Sequence, residues 1–159
     1  MIRRGEPDDA PALARLRLDF RSSIKDPNIA EEETAQFLAR CTEWMRTHLR
    51  RDDWFCWVVE DAGQIVGAIW LHIFEKVPNP WPGEAEHNGY ITNFFVKAEF
   101  RGRGLGRELL NAALAVCKQH NTEAVVLWAT TESRPIYERA GFKVPIRIME
   151  LSSGQPGHP

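Results

Sequence analysis

Cysteine is scarce in this chain: three among 159 residues, at Cys41, Cys56 and Cys117. Their odd number and wide spacing exclude a disulfide framework, and no pair has the spacing of metal ligands. Each lies among apolar neighbours, as buried free thiols do, which suits a reducing cytoplasm. A dominant charge is also missing. Twenty Lys and Arg against 22 Asp and Glu leave a net charge of −2, too little basic excess for a general nucleic-acid or membrane-surface binder. No apolar run is long enough to cross a bilayer, and residues 1–9 contain no apolar leader. There are no internal repeats. What is present is an ordinary globular composition, 43% hydrophobic and 26% charged, at a length that supports one domain with a sizeable core.

The hydrophobic pattern orders the elements. Ile2 to Arg4 can form a short strand. Pro7-Asp8-Asp9 opens a helix with Leu13, Leu16, Phe20 and Ile24 at spacings of three and four, and Lys25-Asp26-Pro27-Asn28 breaks it. A second helix starts at Glu31, with Phe37, Cys41, Trp44 and His48 along one face. Residues 54–60 and 65–74 are two strands joined at Asp61-Ala62-Gly63-Gln64, a β-hairpin. Residues 90–96 read as a buried strand and 108–117 as a helix. Residues 123–129 read as another buried strand, and a last strand falls near residues 146–151. Residues 152–159, rich in Pro and Gly, read as a disordered tail. The order is β-α-α-β-β-β-α-β-α-β in a single domain over 1–151, an α/β mixed sheet.

The chemistry concentrates at Arg101-Gly102-Arg103-Gly104-Leu105-Gly106-Arg107, between a strand and a helix. Glycines at alternate positions let the backbone approach a ligand, and the helix N-terminus supplies N–H groups with partial positive charge. Arg101, Arg103 and Arg107 add full charges, so the place suits a phosphorylated cofactor. The dinucleotide fingerprint does not fit, because the third glycine comes one residue early. A Walker loop does not fit either, because Gly106 precedes Arg107-Glu108 and not Lys-Ser/Thr. Arg/Gln-x-x-Gly-x-Gly/Ala does fit, through Arg101, Gly104 and Gly106. Further on, Ser133 is a natural N-cap, Pro135 suits a first helical turn and Gly141 a C′ position, giving a short helix around Tyr137.

The loop at 101–107, followed at the right distance by Arg134-Pro135-Ile136-Tyr137-Glu138-Arg139-Ala140-Gly141-Phe142, resembles the GNAT superfamily of acetyl-CoA-dependent N-acetyltransferases. That resemblance implies a twisted mixed sheet with helices on both faces, whose fourth and fifth strands splay around acetyl-CoA. It implies that main-chain groups of Phe94, Phe95 and Val96 contact pantetheine. The loop residues Arg101, Gly102, Arg103, Gly104, Leu105, Gly106 and Arg107 would hold the pyrophosphate. Thr130 and Arg134 join the cofactor site, and Tyr137 faces the sulfur as the candidate acid. No metal is implied, and the resemblance admits a homodimer.

Acetyl transfer needs a neutral amine, yet a primary amine has a pKa near ~10.4, so a base or a dry pocket must remove its proton. The glutamates that serve in some members are replaced here by Tyr90 and Val125, and Thr130 stands where an asparagine is frequent. His72, His87, a glutamate of the loop over residues 75–88 (Glu75, Glu84 or Glu86) and water are the remaining candidates for the base. That proline-stiffened loop, with Trp81, reads as a wall of the acceptor pocket. The leading expectation is acetylation of a primary amine on a small molecule by direct attack on the thioester. Protein or peptide N-acetylation and a non-catalytic acyl-CoA sensor are the alternatives, and a cytoplasmic location is expected.

Overall fold

A computed structural model describes residues 1–24, 30–78, 80–146 and 148–151. It divides into two compact units, Met1–Leu127 and Trp128–Pro159. The break expected at residues 25–28 and the tail at 152–159 lie outside the described residues.

The first unit holds one five-stranded sheet. β1 (Ile2–Arg4) leads through a 3-10 turn at Pro7–Asp9 into α1 (Ala10–Ser22), and α2 (Glu31–His48) follows. β2 (Trp54–Asp61) and β3 (Gln64–Glu75) form the expected hairpin. Its two-residue turn puts Ala62 and Gly63 at φ of 47° and 75°, the left-handed pair that matches the twist of the flanking strands. β4 (His87–Val96) begins three residues earlier than the pattern suggested. After it come α3 (Leu105–Gln119) and β5 (Thr122–Val126). The sheet order is β1-β2-β3-β4-β5, antiparallel up to β4 and parallel between β4 and β5.

Strand alternation divides the core between two faces. Cys56, Val58, Ala68 and Trp70 pack with Ala10, Leu13, Ala14 and Leu16 of α1 and Met45 of α2. On the opposite parity, Val59, Ile69, Leu71 and Ile91 are buried. They share the face of α3, whose Leu109, Leu110, Ala113 and Cys117 recur at spacings of three and four and are buried. Burial of each large aliphatic side chain is worth about 1.5–3 kcal/mol, so Leu109→Ala would cost about 2–5 kcal/mol with its cavity term. At Gly89 an added Cβ would lie 3.2 Å from Cys117 Sγ, so this glycine sets how closely α3 approaches β4.

Three expectations change. The face of α2 turned inward carries Leu38, Cys41, Met45 and Leu49, one position round from the expected stripe. Trp44 instead lies at the rim, 42% exposed, stacked on His48 at 3.7 Å. β5 is half-exposed rather than buried, because it pairs on one side only among the described residues. No strand forms among the described residues of 146–151; Ile146, Met149 and Leu151 are fully exposed there.

The second unit contains α4 (Arg134–Arg139), a six-residue helix. It ends as expected: Gly141 is left-handed at φ 95°, its N–H donates to Glu138 O at 3.0 Å, and Phe142 N–H donates to Tyr137 O at 3.0 Å.

Candidate active site

β4 does two things along its length. Its first residues pair with β5, His87 with Thr122, Gly89 with Val125 and Tyr90 with Val126, and there the register ends. From Ile91 to Val96 the strand is registered, among the described residues, only with β3. Within that stretch Ala68 faces Phe95 while Trp70 faces Thr92, so Asn93 and Phe94 oppose a single residue of β3. This is a β-bulge, and Asn93 takes the left-handed conformation at φ 48°. Asparagine is one of the few side chains that tolerates that region. The expected splay of the fourth and fifth strands is therefore present as the end of their ladder at Tyr90. Phe94, Phe95 and Val96 all lie on the part of β4 that β5 does not cover.

The glycine loop follows directly. A 3-10 turn at Ala98–Phe100 reverses the chain, and Gly102 and Gly104 are left-handed at φ 78° and 82°. A Cβ at either would meet nothing within 4 Å, so glycine is required for backbone conformation and not for space. Gly104 is the N-cap of α3 and has no side chain to satisfy the first N–H groups, so Leu105, Gly106 and Arg107 begin the helix with donors available to an anion. Arg101 donates from Nε to Val96 O at 3.0 Å and lies over the Phe95 ring at 5.6 Å. Arg103 donates to Glu99 O at 3.3 Å and lies over Phe100. Arg107 is exposed. Among the described residues no carboxylate forms an ion pair with any of the three. Glu108 is the acidic residue of the first turn of α3. The donor set fits a diphosphate. Of the main-chain groups expected to meet pantetheine, the Val96 carbonyl already accepts a bond from Arg101.

In the second unit, Thr130 and Ser133 satisfy one another. Thr130 N–H donates to Ser133 Oγ at 2.9 Å and Ser133 N–H to Thr130 Oγ1 at 3.2 Å. Ser133 occupies the N-cap position as expected, but its hydroxyl turns back to Thr130 and makes no capping bond to the helix. Arg134 is exposed and pairs with Glu138 at 3.2 Å, one turn on. Tyr137 is 6% exposed, with its ring edge-on to Phe142 at 5.7 Å. Burial pushes its phenol up to about 12, with the Ser133 side chain working the other way.

The histidines separate. His72 sits opposite Tyr90 across the β3–β4 ladder, stacked on Trp54 at 4.4 Å and 3.4 Å from Asp53 Oδ2. His87 lies at the other end of β4, six residues from Asn93 and ~20 Å away along the strand. It is near His120, with ring centroids 6.2 Å apart. Glu75 and His87 belong to strands, so the connection between them is shorter than expected. It is closed by Lys76 N–H donating to Glu86 O at 2.7 Å, while Lys76 Nζ pairs with Glu123. Trp81 projects from this connection, 66% exposed.

One side chain that the sequence reading passed over also reaches the bulge. Arg17 of α1 donates from Nη1 to Asn93 Oδ1 at 3.2 Å. It lies four residues after Leu13 and one after Leu16, both buried, and a charge on an apolar stripe was the available signal.

A sequence profile of the Acetyltransferase (GNAT) family matches residues 17–142. An uncharacterised N-acetyltransferase of Archaeoglobus fulgidus is 27% identical over 161 residues, covering 98% of this chain and 97% of that protein. A mycothiol acetyltransferase of Propionibacterium freudenreichii is 29% identical over 87% of this chain, which spans only 46% of that longer protein. Among solved structures, a GCN5-related N-acetyltransferase from Ralstonia eutropha JMP134 is 28% identical, with a TM-score of 0.76 over 97% of this chain and 99% of that one. A predicted acetyltransferase from Clostridium acetobutylicum, solved with acetyl-CoA, is 22% identical with a TM-score of 0.79 over 96% and 95% of the two chains. With a profile that runs through both the glycine loop and α4, the chain belongs to the Acetyltransferase (GNAT) family, the N-acetyltransferases that draw their acetyl group from acetyl-CoA.

Proposed function

We propose that this protein transfers the acetyl group of acetyl-CoA to a primary amine of a small molecule, and that residues 1–151 act as one acetyltransferase domain. The observation that carries this reading is the continuity from the half of β4 that β5 does not pair into a left-handed glycine loop whose three arginines have no carboxylate partner among the described residues. Main-chain groups of Phe94, Phe95 and Val96 take the amide-bearing arm of the cosubstrate as a further strand, a use of sheet edges that needs no particular side chain. The loop amides and Arg101, Arg103 and Arg107 take the diphosphate. Thr130 shapes the turn before α4, and Arg134 borders it.

Tyr137 acts as a hydrogen-bond donor to the departing thiolate. A phenol held near 12 is protonated at any working pH. Full transfer to a thiolate of ordinary pKa ~8.5 would be uphill by roughly 5 kcal/mol, so a hydrogen bond without complete transfer is the favoured form. Removal of the amine proton falls to His72, a glutamate of the 75–88 segment or water, since His87 stands at the far end of β4 from the bulge. The relatives named above include a mycothiol acetyltransferase, and a glucosamine 6-phosphate N-acetyltransferase of Trypanosoma brucei brucei is 32% identical over 58% of this chain; both names support a small-molecule acceptor. Among the described residues no helix is long and apolar enough to cross a membrane. Free thiols at Cys41, Cys56 and Cys117 support a cytoplasmic location.

The test is release of free thiol from acetyl-CoA across a panel of small amines and short peptides. Turnover with small amines supports the proposal, and turnover with peptides alone replaces it with protein acetylation. Binding of acetyl-CoA without thiol release from any amine assigns the chain to sensing.

A further inference from the structure

Arg17 and Arg21 stand one turn apart on α1, and both are half-buried. Arg17 reaches the bulge of β4 and donates to Asn93 Oδ1, a neutral amide oxygen. Among the described residues neither arginine has a carboxylate partner, and the nearby Asp19 is turned to Lys97 at 3.7 Å. A guanidinium has five N–H donors, and among the described residues that of Arg17 has one hydrogen-bond acceptor, a neutral amide, with the Phe20 ring 5.5 Å from its Cζ. Burial lowers the proton affinity of Arg17, and Arg21 acts in the same direction. Both effects mark a place where an added negative charge would be stabilising.

The location defines what can bring that charge. At the bulge, β3 occupies one edge of β4 and the cosubstrate arm takes the other. The face toward α3 is closed by buried Ile91, Leu109 and Leu110. An amine must therefore approach over the face of Tyr90 and Thr92, under α1, where Arg17 stands. A carboxylate or a phosphate accepts two parallel bonds from a guanidinium, a fit that a neutral group lacks.

We propose that Arg17, seconded by Arg21, binds an anionic group of the acceptor, so that the substrate is an amine carrying a carboxylate or phosphate. This rests on the small-amine reading above. Arg17 is a specificity residue that touches substrate, and its bond to Asn93 orients it beside the thioester.

Matched amines test the proposal and separate the two anion sources: phosphoethanolamine against ethanolamine, glucosamine 6-phosphate against glucosamine, and tryptophan against tryptamine. The wild-type protein should favour the charged member of at least one pair by tenfold or more in kcat/KM. Arg17→Met should bring that ratio to within threefold of unity, mainly through KM. Arg17→Lys, with charge but no fork, should fall between. Affinity for CoA checks that each variant is folded. Equal use of both members by the wild type, or a ratio that survives Arg17→Met, overturns the proposal. If no amine releases thiol, the small-amine reading fails by itself, and calorimetry of the charged amines on the CoA-loaded protein then decides. Heat that is lost in Arg17→Met supports the anion site; absent heat or equal heat overturns it.

Discussion

From His87 to Tyr90, β4 carries a ladder on each side, to β3 and to β5; from Ile91 to Val96 it keeps only β3 among the described residues and contains a bulge. The first half is a structural centre, where Gly89 lets α3 approach and Asn88 Oδ1 accepts from the Ala124 N–H of β5 at 3.2 Å. The second half has the composition of a core strand but the geometry of an edge. An uncovered edge invites pairing with another chain. Here the neighbouring glycine loop suits a diphosphate, and the occupant proposed above for that edge is a small molecule rather than a second strand. The difference comes from the length of β5, which stops after five residues, and not from the side chains of β4.

Substitutions at four positions break or sharpen that contrast. The largest effect is expected at the loop that extends the uncovered half. Gly104→Val places a β-branched residue at φ 82° and should weaken CoA binding about a hundredfold by calorimetry, through backbone conformation alone. Tyr137→Phe should lower turnover at least tenfold while CoA affinity stays within about twofold; unchanged turnover removes the donor role.

The same variant carries a pH signature. Because the folded phenol is raised to about 12 from an ordinary value near 10, its proton is bound more tightly in the folded state. The stability associated with it is intact below pH ~10 and is lost as pH rises toward 12. Tyr137→Phe should lose less stability than wild type across that window in alkaline denaturation.

Asn93→Ala, at the bulge, should cost about 1 kcal/mol in urea denaturation, because alanine tolerates φ 48° poorly. Asn93→Gly should cost less. The smallest effect belongs to the doubly paired half: His87→Ala should leave kcat/KM within about twofold, whereas a lost acidic limb in its pH–rate profile would return His87 to the list of bases.

The glycine loop, the hairpin and the short helix around Tyr137 were legible because each depends on local chemistry: positive φ, a two-residue turn, a left-handed C′. The inward face of α2 was not. Phe37, Leu38, Cys41, Trp44, Met45, His48 and Leu49 form two overlapping apolar stripes, and only packing against α1 selects 38-41-45-49. A last strand is expected near residues 146–151, but a strand exists through a partner edge, and none is registered there among the described residues. The end of the β4–β5 ladder entered through family resemblance, since its cause is a strand length and not a residue type. Arg17 escaped notice because its significance is a distance to Asn93, 76 positions away.

The bond from Arg101 to the Val96 carbonyl, with its guanidinium over the Phe95 ring, ties the glycine loop to the last residues of the strand by a single side chain. Fragments of the cosubstrate should therefore not behave as strangers to one another. In the proposed binding mode, a nucleotide-end fragment that fixes Arg101 would stiffen the carbonyl that a pantetheine fragment would meet, and the two should bind together more tightly than the product of their separate affinities.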